Sequence, residues 1–277
     1  IDLVPNSQKK GLQWLLKNMD KDDKNLLSTS FLIDNCNYAY KAWDSTPWGS
    51  VDDSLFFEYI LPFSSLNERR DNWRQDFYER FFPIVKNAKS ASEAVAILNN
   101  NIFEMVGVIY STKRPKADQS PYESIEAGLA SCTGLSFMLI DACRSVGIPA
   151  RFVGTPMWYN NSGNHSWVEI WDNGWHFTGA FEPTGDRLNE GWFASLAARA
   201  VEGHPEYGIY AATWKKTGIF FPMDWKPGIE KYYAYDVTSS YQKYLDDNFV
   251  PLRIKVVGKN GMRKKVLVDV KADDGFL

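Results

Sequence analysis

The sequence is poor in the residues from which metal sites and disulfide frameworks are built. Its 277 residues include three cysteines and three histidines. No Cys-x-x-Cys pair occurs, which argues against a cysteine-based structural zinc site. No apolar run reaches the roughly 18 residues of a membrane span. The net charge is −3 and no basic block is present, so nucleic acid is not an expected partner. There is no internal repeat and no low-complexity segment. The chain opens on Ile1 without a signal-peptide pattern, and Ile1 is read as a mature or trimmed end whose targeting segment has been removed.

What is present is apolar and aromatic. Hydrophobic residues make up 44% and aromatic residues 15%, enough for a sizeable core in one or two domains. Eleven tryptophans suit a large core with a broad cleft, or a surface on which sugars or peptides stack.

The first 110 residues read mainly as helix. The segments 11–19, 28–43, 67–82 and 91–110 carry apolar positions near a 3.6-residue spacing, and Ser50 is placed to cap a helix through Tyr59. The pair Asp22-Asp23 reads as a surface turn. From Arg151 the period changes. Residues 151–159 are strand-like, 160–164 form a turn, and two aromatic, β-branched runs flank Asn173-Gly174 as a hairpin. Residues 186–235 give no clear pattern. Leu252–Val257 and Lys264–Val270 read as a C-terminal hairpin that either joins the main sheet or begins a second β domain. The expected organisation is a helical region over 1–110, a core over 111–240 and a β segment over 241–277.

Two segments carry chemistry. Ser131-Cys132-Thr133-Gly134 opens an apolar helix that stops at Gly147, with Pro149 beyond. Cys132 thus stands at the positive end of a buried helix, which favours thiolate. Cys132 and Cys143, about 16 Å apart on that helix, cannot bridge. Either Cys36 pairs with Cys143, or all three are separate thiols, with Cys36 and Cys143 buried as small apolar side chains.

The second segment starts at His165. If Asn173 and Gly174 are the two turn residues, His165 faces Glu182 across the hairpin, close enough for a carboxylate to hold an imidazole. A bulge would break that register and leave Asp186 as the reserve acid. In the same register His176 shares the His165 face, and with Trp158 and Trp167 it is a possible cleft residue. Glu169, two pleats along, reads as half of a sheet ion pair. His165 and His176 would lie about 20 Å apart along the strands, which argues against a metal hydrolase.

From Tyr122 to Pro183 the chain resembles the transglutaminase-like superfamily of papain-type thiol enzymes. The resemblance rests on Cys132 and its helix, on Gly147-Ile148-Pro149-Ala150-Arg151, on His165-Ser166-Trp167-Val168-Glu169, on Gly174-Trp175, and on an acid before Pro183. It implies an α+β fold in which the Cys-bearing helix packs on an antiparallel sheet. It makes Cys132 the nucleophile, His165 the base and acid, and the third member the group that orients His165. The chain departs from the pattern with Glu182 in place of Asp, a longer gap after Trp175, and Ser131 before the cysteine. By analogy with secreted bacterial proteins that fuse such a domain to β modules, a secreted, periplasmic or cell-surface location is expected.

The reaction that follows is thiol acyl transfer without a cofactor or metal, on a peptide, protein or cell-wall fragment, with hydrolysis preferred to cross-linking on family breadth. The Cys132 N–H would be one oxyanion donor and Gln119 a candidate for the second. The competing reading is a non-catalytic module that binds a glycan or peptide on Trp43, Trp48, Trp73, Trp158 or Trp192.

Overall fold

The computed structural model describes residues 1–49 and 51–245, with two short pieces, 271–272 and 275–276, near the C-terminus. The chain forms two units, Ile1–Leu245 and Asp246–Leu277. In the second, Lys271–Ala272 pairs antiparallel with Gly275–Phe276. The expected strands Leu252–Val257 and Lys264–Val270, and the expected cap Ser50, lie outside the described residues.

The first unit begins with three helices, α1 (Lys9–Asn18), α2 (Lys21–Leu26) and α3 (Thr29–Ser45). The second was not expected. Asp20 caps it by accepting the Asp22 N–H at 2.8 Å, and Asp22 and Asp23 occupy its first turn, where acids suit the helix dipole. Asp23 is buried against Arg70 at 2.9 Å, so the pair is not a solvated turn. Asp52 caps the short helix Asp53–Leu55, which runs on as a π-helix over Phe56–Ile60.

The helix expected from residue 67 begins later, as α4 (Arg74–Val85). The residues before it are held irregular by their own acids. Glu68 accepts the N–H groups of Ser65 and Leu66, and Asp71 accepts that of Tyr122. Such local bonds offer the backbone an alternative to helix. Helix α5 (Ala91–Val106) ends at Gly107, whose φ of 70° makes the left-handed stop. A short helix, α6 (Pro121–Ala127), has a complete capping box between Ser120 and Glu123. Then comes α7 (Cys132–Ser145).

Five strands form one antiparallel sheet: β1 (Ala150–Thr155), β2 (His165–Trp171), β3 (Trp175–Thr178), β4 (Tyr210–Thr213) and β5 (Tyr233–Asp236), in the spatial order β3-β2-β1-β4-β5. The last two arise from the stretch that gave no pattern in the sequence. Helix α7 lies on one face, where Leu135, Leu139 and Ala142 share a core with Phe152, Val168 and Ile170. On the other face Val153, Trp167 and Phe177 pack against Phe193, Ala197 and Tyr241. The sheet is therefore covered on both sides, and an α+β architecture results.

Two buried arginines join the helical part to this sheet. The segment Tyr59–Ser64 leaves carbonyls that need donors. Arg74 donates to the carbonyls of Ile60, Leu61, Pro62 and Arg144 and to Asn35 Oδ1. Arg144 donates to those of Tyr59, Ser64 and Ala150, the last being the first residue of β1. No helix among the described residues is long and apolar enough to cross a membrane.

Candidate active site

Helix α7 presents Cys132 at its first position. Ser131 caps the helix by accepting the Gly134 N–H at 3.1 Å and donates its own hydroxyl to the Ala117 carbonyl at 2.5 Å. The next residue, Thr133, meets Ser166 of β2, hydroxyl to hydroxyl, at 3.2 Å. That contact sets the helix start against the strand carrying His165, so the thiol and the imidazole come from two rigidly packed elements.

Cys132 and His165 act on each other at short range, each shifting the titration of the other. Burial pushes the Cys132 thiol up. The neighbouring His165 and the backbone N–H groups of Ser166 and Thr133 outweigh it and bring the thiol below its ordinary range. Burial pulls His165 down, but the neighbouring Cys132 and Glu182 raise it to about 9. A lowered thiol and a raised imidazole favour the thiolate–imidazolium form of the pair.

Glu182 Oε2 stands 3.5 Å from His165 Nε2. The contact is long and skewed, and Nε2 has no well-aligned hydrogen bond among the described residues. It is an electrostatic contact that holds Nε2 toward the acid. Glu182 reaches this place by a route that differs from the expected one. The hairpin pairs Trp171 with Trp175 and Val168 with Thr178, so its loop has three residues, 172–174, and the register is one residue off the expected one. Strand β3 ends at Thr178, and a turn from Gly179 to Glu182, with Phe181 at φ 65°, swings the carboxylate back. Asn99 of α5 clamps that turn. It donates to the Gly179 carbonyl at 2.8 Å and accepts the Phe181 N–H at 2.9 Å. Gly179 is required there, because a Cβ on it would fall on Glu182 Oε2 and within 2.9 Å of the Glu182 Cβ.

The one-residue shift also moves His176 to the opposite face from His165, since strand side chains alternate. It pairs with Ile170, and its ring bonds the Asp172 carbonyl at 3.1 Å and Asn189 at 2.8 Å. It is not a cleft residue. Asp186 is exposed in the following turn, and Glu182, not Asp186, is the acid on His165. Gln119 offers no oxyanion donor. It is buried with its amide nitrogen spent on the carbonyls of Glu123 and Leu129, at 3.2 and 3.0 Å. The Cys132 N–H, at the first helical position, has no intrahelical acceptor.

Trp158 and Trp167 are buried, stacked on each other at 6.1 Å, and form a wall behind the His165 ring instead of an open cleft. Trp48 and Trp73 belong to the core, and Trp43 stacks on Phe56 at 4.2 Å. Of the five tryptophans considered as a ligand platform, only Trp192 is exposed, at 60%. Its ring lies 4.8 Å from that of His165, and its Nε1–H donates to Glu182 Oε2 at 3.0 Å. Phe193 completes the aromatic enclosure, also 4.8 Å from His165. These π faces favour the protonated ring. The sequence carries no signal for the contacts of Trp192, Phe193, Asn99 or Gly179, because each depends on a turn that no short motif marks.

Glu169, buried on β2, pairs with Arg151 of β1 at 2.6 Å, as expected, and accepts the Tyr241 hydroxyl at 2.6 Å. Cys36, Cys132 and Cys143 are all free, with Cys36 and Cys143 buried. No group of three or more metal-ligating side chains is assembled among the described residues.

Residues 80–180 match the family model of the transglutaminase-like superfamily core. That match contains Cys132 and His165 and stops two residues short of Glu182. No curated protein matches the chain. Among solved structures, one from Cytophaga hutchinsonii, described as a "Putative Cysteine Protease", aligns at 18% identity with a TM-score of 0.39. The alignment covers 52% of this chain and 47% of that one, so the chain spans about half the length of the solved protein it matches. The helix that presents Cys132 and the strand that opens on His165 thus lie within the segment that matches the core of the transglutaminase-like superfamily.

Proposed function

We propose that the chain hydrolyses a peptide or amide bond through a thioester on Cys132. The observation that carries this reading is Cys132 at a helix start, set against the strand of His165 by the Thr133–Ser166 contact at 3.2 Å, with the thiol lowered and the imidazole raised. The Cys132 thiolate attacks the carbonyl carbon, a C–S bond forms, and the carbonyl electrons move to oxygen. The Cys132 N–H and the positive end of α7 face that oxygen. The His165 imidazolium gives its proton to the amide nitrogen, the C–N bond breaks, and the amine leaves. Neutral His165 then takes a proton from water. The resulting hydroxide attacks the thioester, the C–S bond breaks, and a carboxylic acid leaves with thiolate restored. Glu182 orients the ring and supports its charge, while Trp192 and Phe193 shield the pair from water.

Alkylation with iodoacetamide across pH tests the activated thiol. Cys132 is expected to react well below the ordinary thiol range and to return to that range in His165→Ala. A peptide library incubated with wild type and Cys132→Ala tests the reaction itself. Turnover lost in the variant supports the hydrolase. Equal binding by both proteins with turnover in neither would replace it with a binding module.

A further inference from the structure

A cleft of about 620 Å³ opens at Pro156 and Met157, just beyond the end of β1, whose last residue Thr155 pairs with His165. Apolar side chains, among them Phe221, Met223 and Ile229, make up much of its wall. Its charged lining is of one sign: Glu206, Asp224 and Glu230, with no lysine, arginine or histidine. One hydrogen bond and one close approach place it near the start of the His165 strand. Asp224 accepts a hydrogen bond from the Asn164 side-chain amide, and Asn164 directly precedes His165. A Cβ built on Gly154 would lie 3.0 Å from the His165 carbonyl oxygen and 3.4 Å from the Phe221 ring. The nearby cations stand outside the lining. Lys226 pairs with Asp118 at 3.3 Å, and Arg114 acts on Asp224 through its charge without lining the cleft.

We propose that this cleft seats a lysine or arginine side chain of a peptide substrate, one to three residues from the bond attacked by Cys132. The inference rests on the hydrolytic reading above and names its substrate class. A long cationic side chain fits both features at once, because its aliphatic stem covers apolar wall while its charged head meets carboxylates. Glutamate or aspartate there would face like charge, and leucine would cover the wall but leave the carboxylates unpaired. An extended peptide advances about 3.3 Å per residue, so three residues reach about 10 Å from the reacting carbonyl.

Two measurements test this independently. In the first, wild type is given peptides that differ only in carrying Lys, Arg, Leu or Glu within three residues of the scissile bond. Lys and Arg peptides are expected to show the highest kcat/KM. The Lys-to-Glu ratio is expected to fall at least about fivefold in the Glu206→Gln, Glu230→Gln double variant. Equal turnover of Lys and Glu peptides would overturn the proposal. In the second, binding of a Lys-containing and a Glu-containing tetrapeptide to Cys132→Ser is followed by calorimetry. Preferential binding of the lysine peptide, weakened by salt and by the double substitution, supports the cleft. Equal affinity for both peptides overturns it. Absence of any turnover with the binding preference intact would sink the hydrolase reading and leave the cationic site standing.

Discussion

At the scale of single residues, the site is a buried pair with a partly exposed regulator. The carboxylate supports the positive charge on His165, so Glu182→Gln is expected to bring the imidazole below about 9. Its sign follows from the pair: the active form needs thiolate and imidazolium together. Activity therefore persists only above the lowered thiol value and below the imidazole value. Wild-type kcat/KM should fall on the alkaline side near pH 9, and Glu182→Gln should move that limb to lower pH. A loss of about 10- to 100-fold near neutrality is expected, below the roughly 10²- to 10⁴-fold of a group that itself transfers the proton, because Glu182 acts through His165. A pH–rate profile checks both, and an unmoved alkaline limb in the variant would remove Glu182 from the mechanism. Gly179→Ala should mimic this loss without touching a reacting group, because the added methyl occupies the place of the carboxylate. The backbone at 179 needs no positive φ, but the methyl also meets the Glu182 Cβ at 2.9 Å, so a stability cost of about 1–3 kcal/mol is expected beside the kinetic loss. Kinetics and urea unfolding of the same preparation separate the two effects.

At the scale of elements, the helix start and the stop at Gly147 were legible because caps and breakers are local. So was His165 at a strand start. The hairpin register was not. Alternation of polar and apolar residues normally fixes which way a strand faces, but β1 and β2 are buried on both faces and carry no such alternation. Asn-Gly then favoured a two-residue loop, whereas the chain uses three. Glu182 still reached His165, through a turn clamped by Asn99 from a helix some 80 residues earlier in the chain, a contact that no local pattern announces. The late start of α4 has a similar cause, since the acids at 68 and 71 are spent on backbone N–H groups. Arg74 on that helix carries its own prediction. Truncation to alanine strands the carbonyls of Ile60, Leu61 and Pro62 without donors, and a cost of about 3–5 kcal/mol is expected. Denaturant unfolding measures it, and a cost under 1 kcal/mol would mean that water replaces the guanidinium.

At the scale of the whole molecule, the described side chains of the three hydrophobic cores belong to residues 4–244, within the unit Ile1–Leu245. A chain ending at Leu245 is therefore expected to fold by itself, with a cooperative thermal transition and the same alkylation profile at Cys132. A noncooperative transition would show that the first unit is not self-sufficient. The α+β class and the helix-on-sheet core could be anticipated because amphipathic helices must cover a sheet somewhere. The strands at 210–213 and 233–236 could not, because aromatic residues, glycine and proline interrupt any periodic signal there.

The three thiols make the folded chain its own indicator. Burial raises Cys36 to about 12 and also pushes Cys143 up, while Cys132 alone is brought down. A disulfide reagent at mild pH should consume one equivalent from native protein and three once the helix and strand separate. Counting titrated sulfur would then report the folded fraction without any knowledge of the substrate.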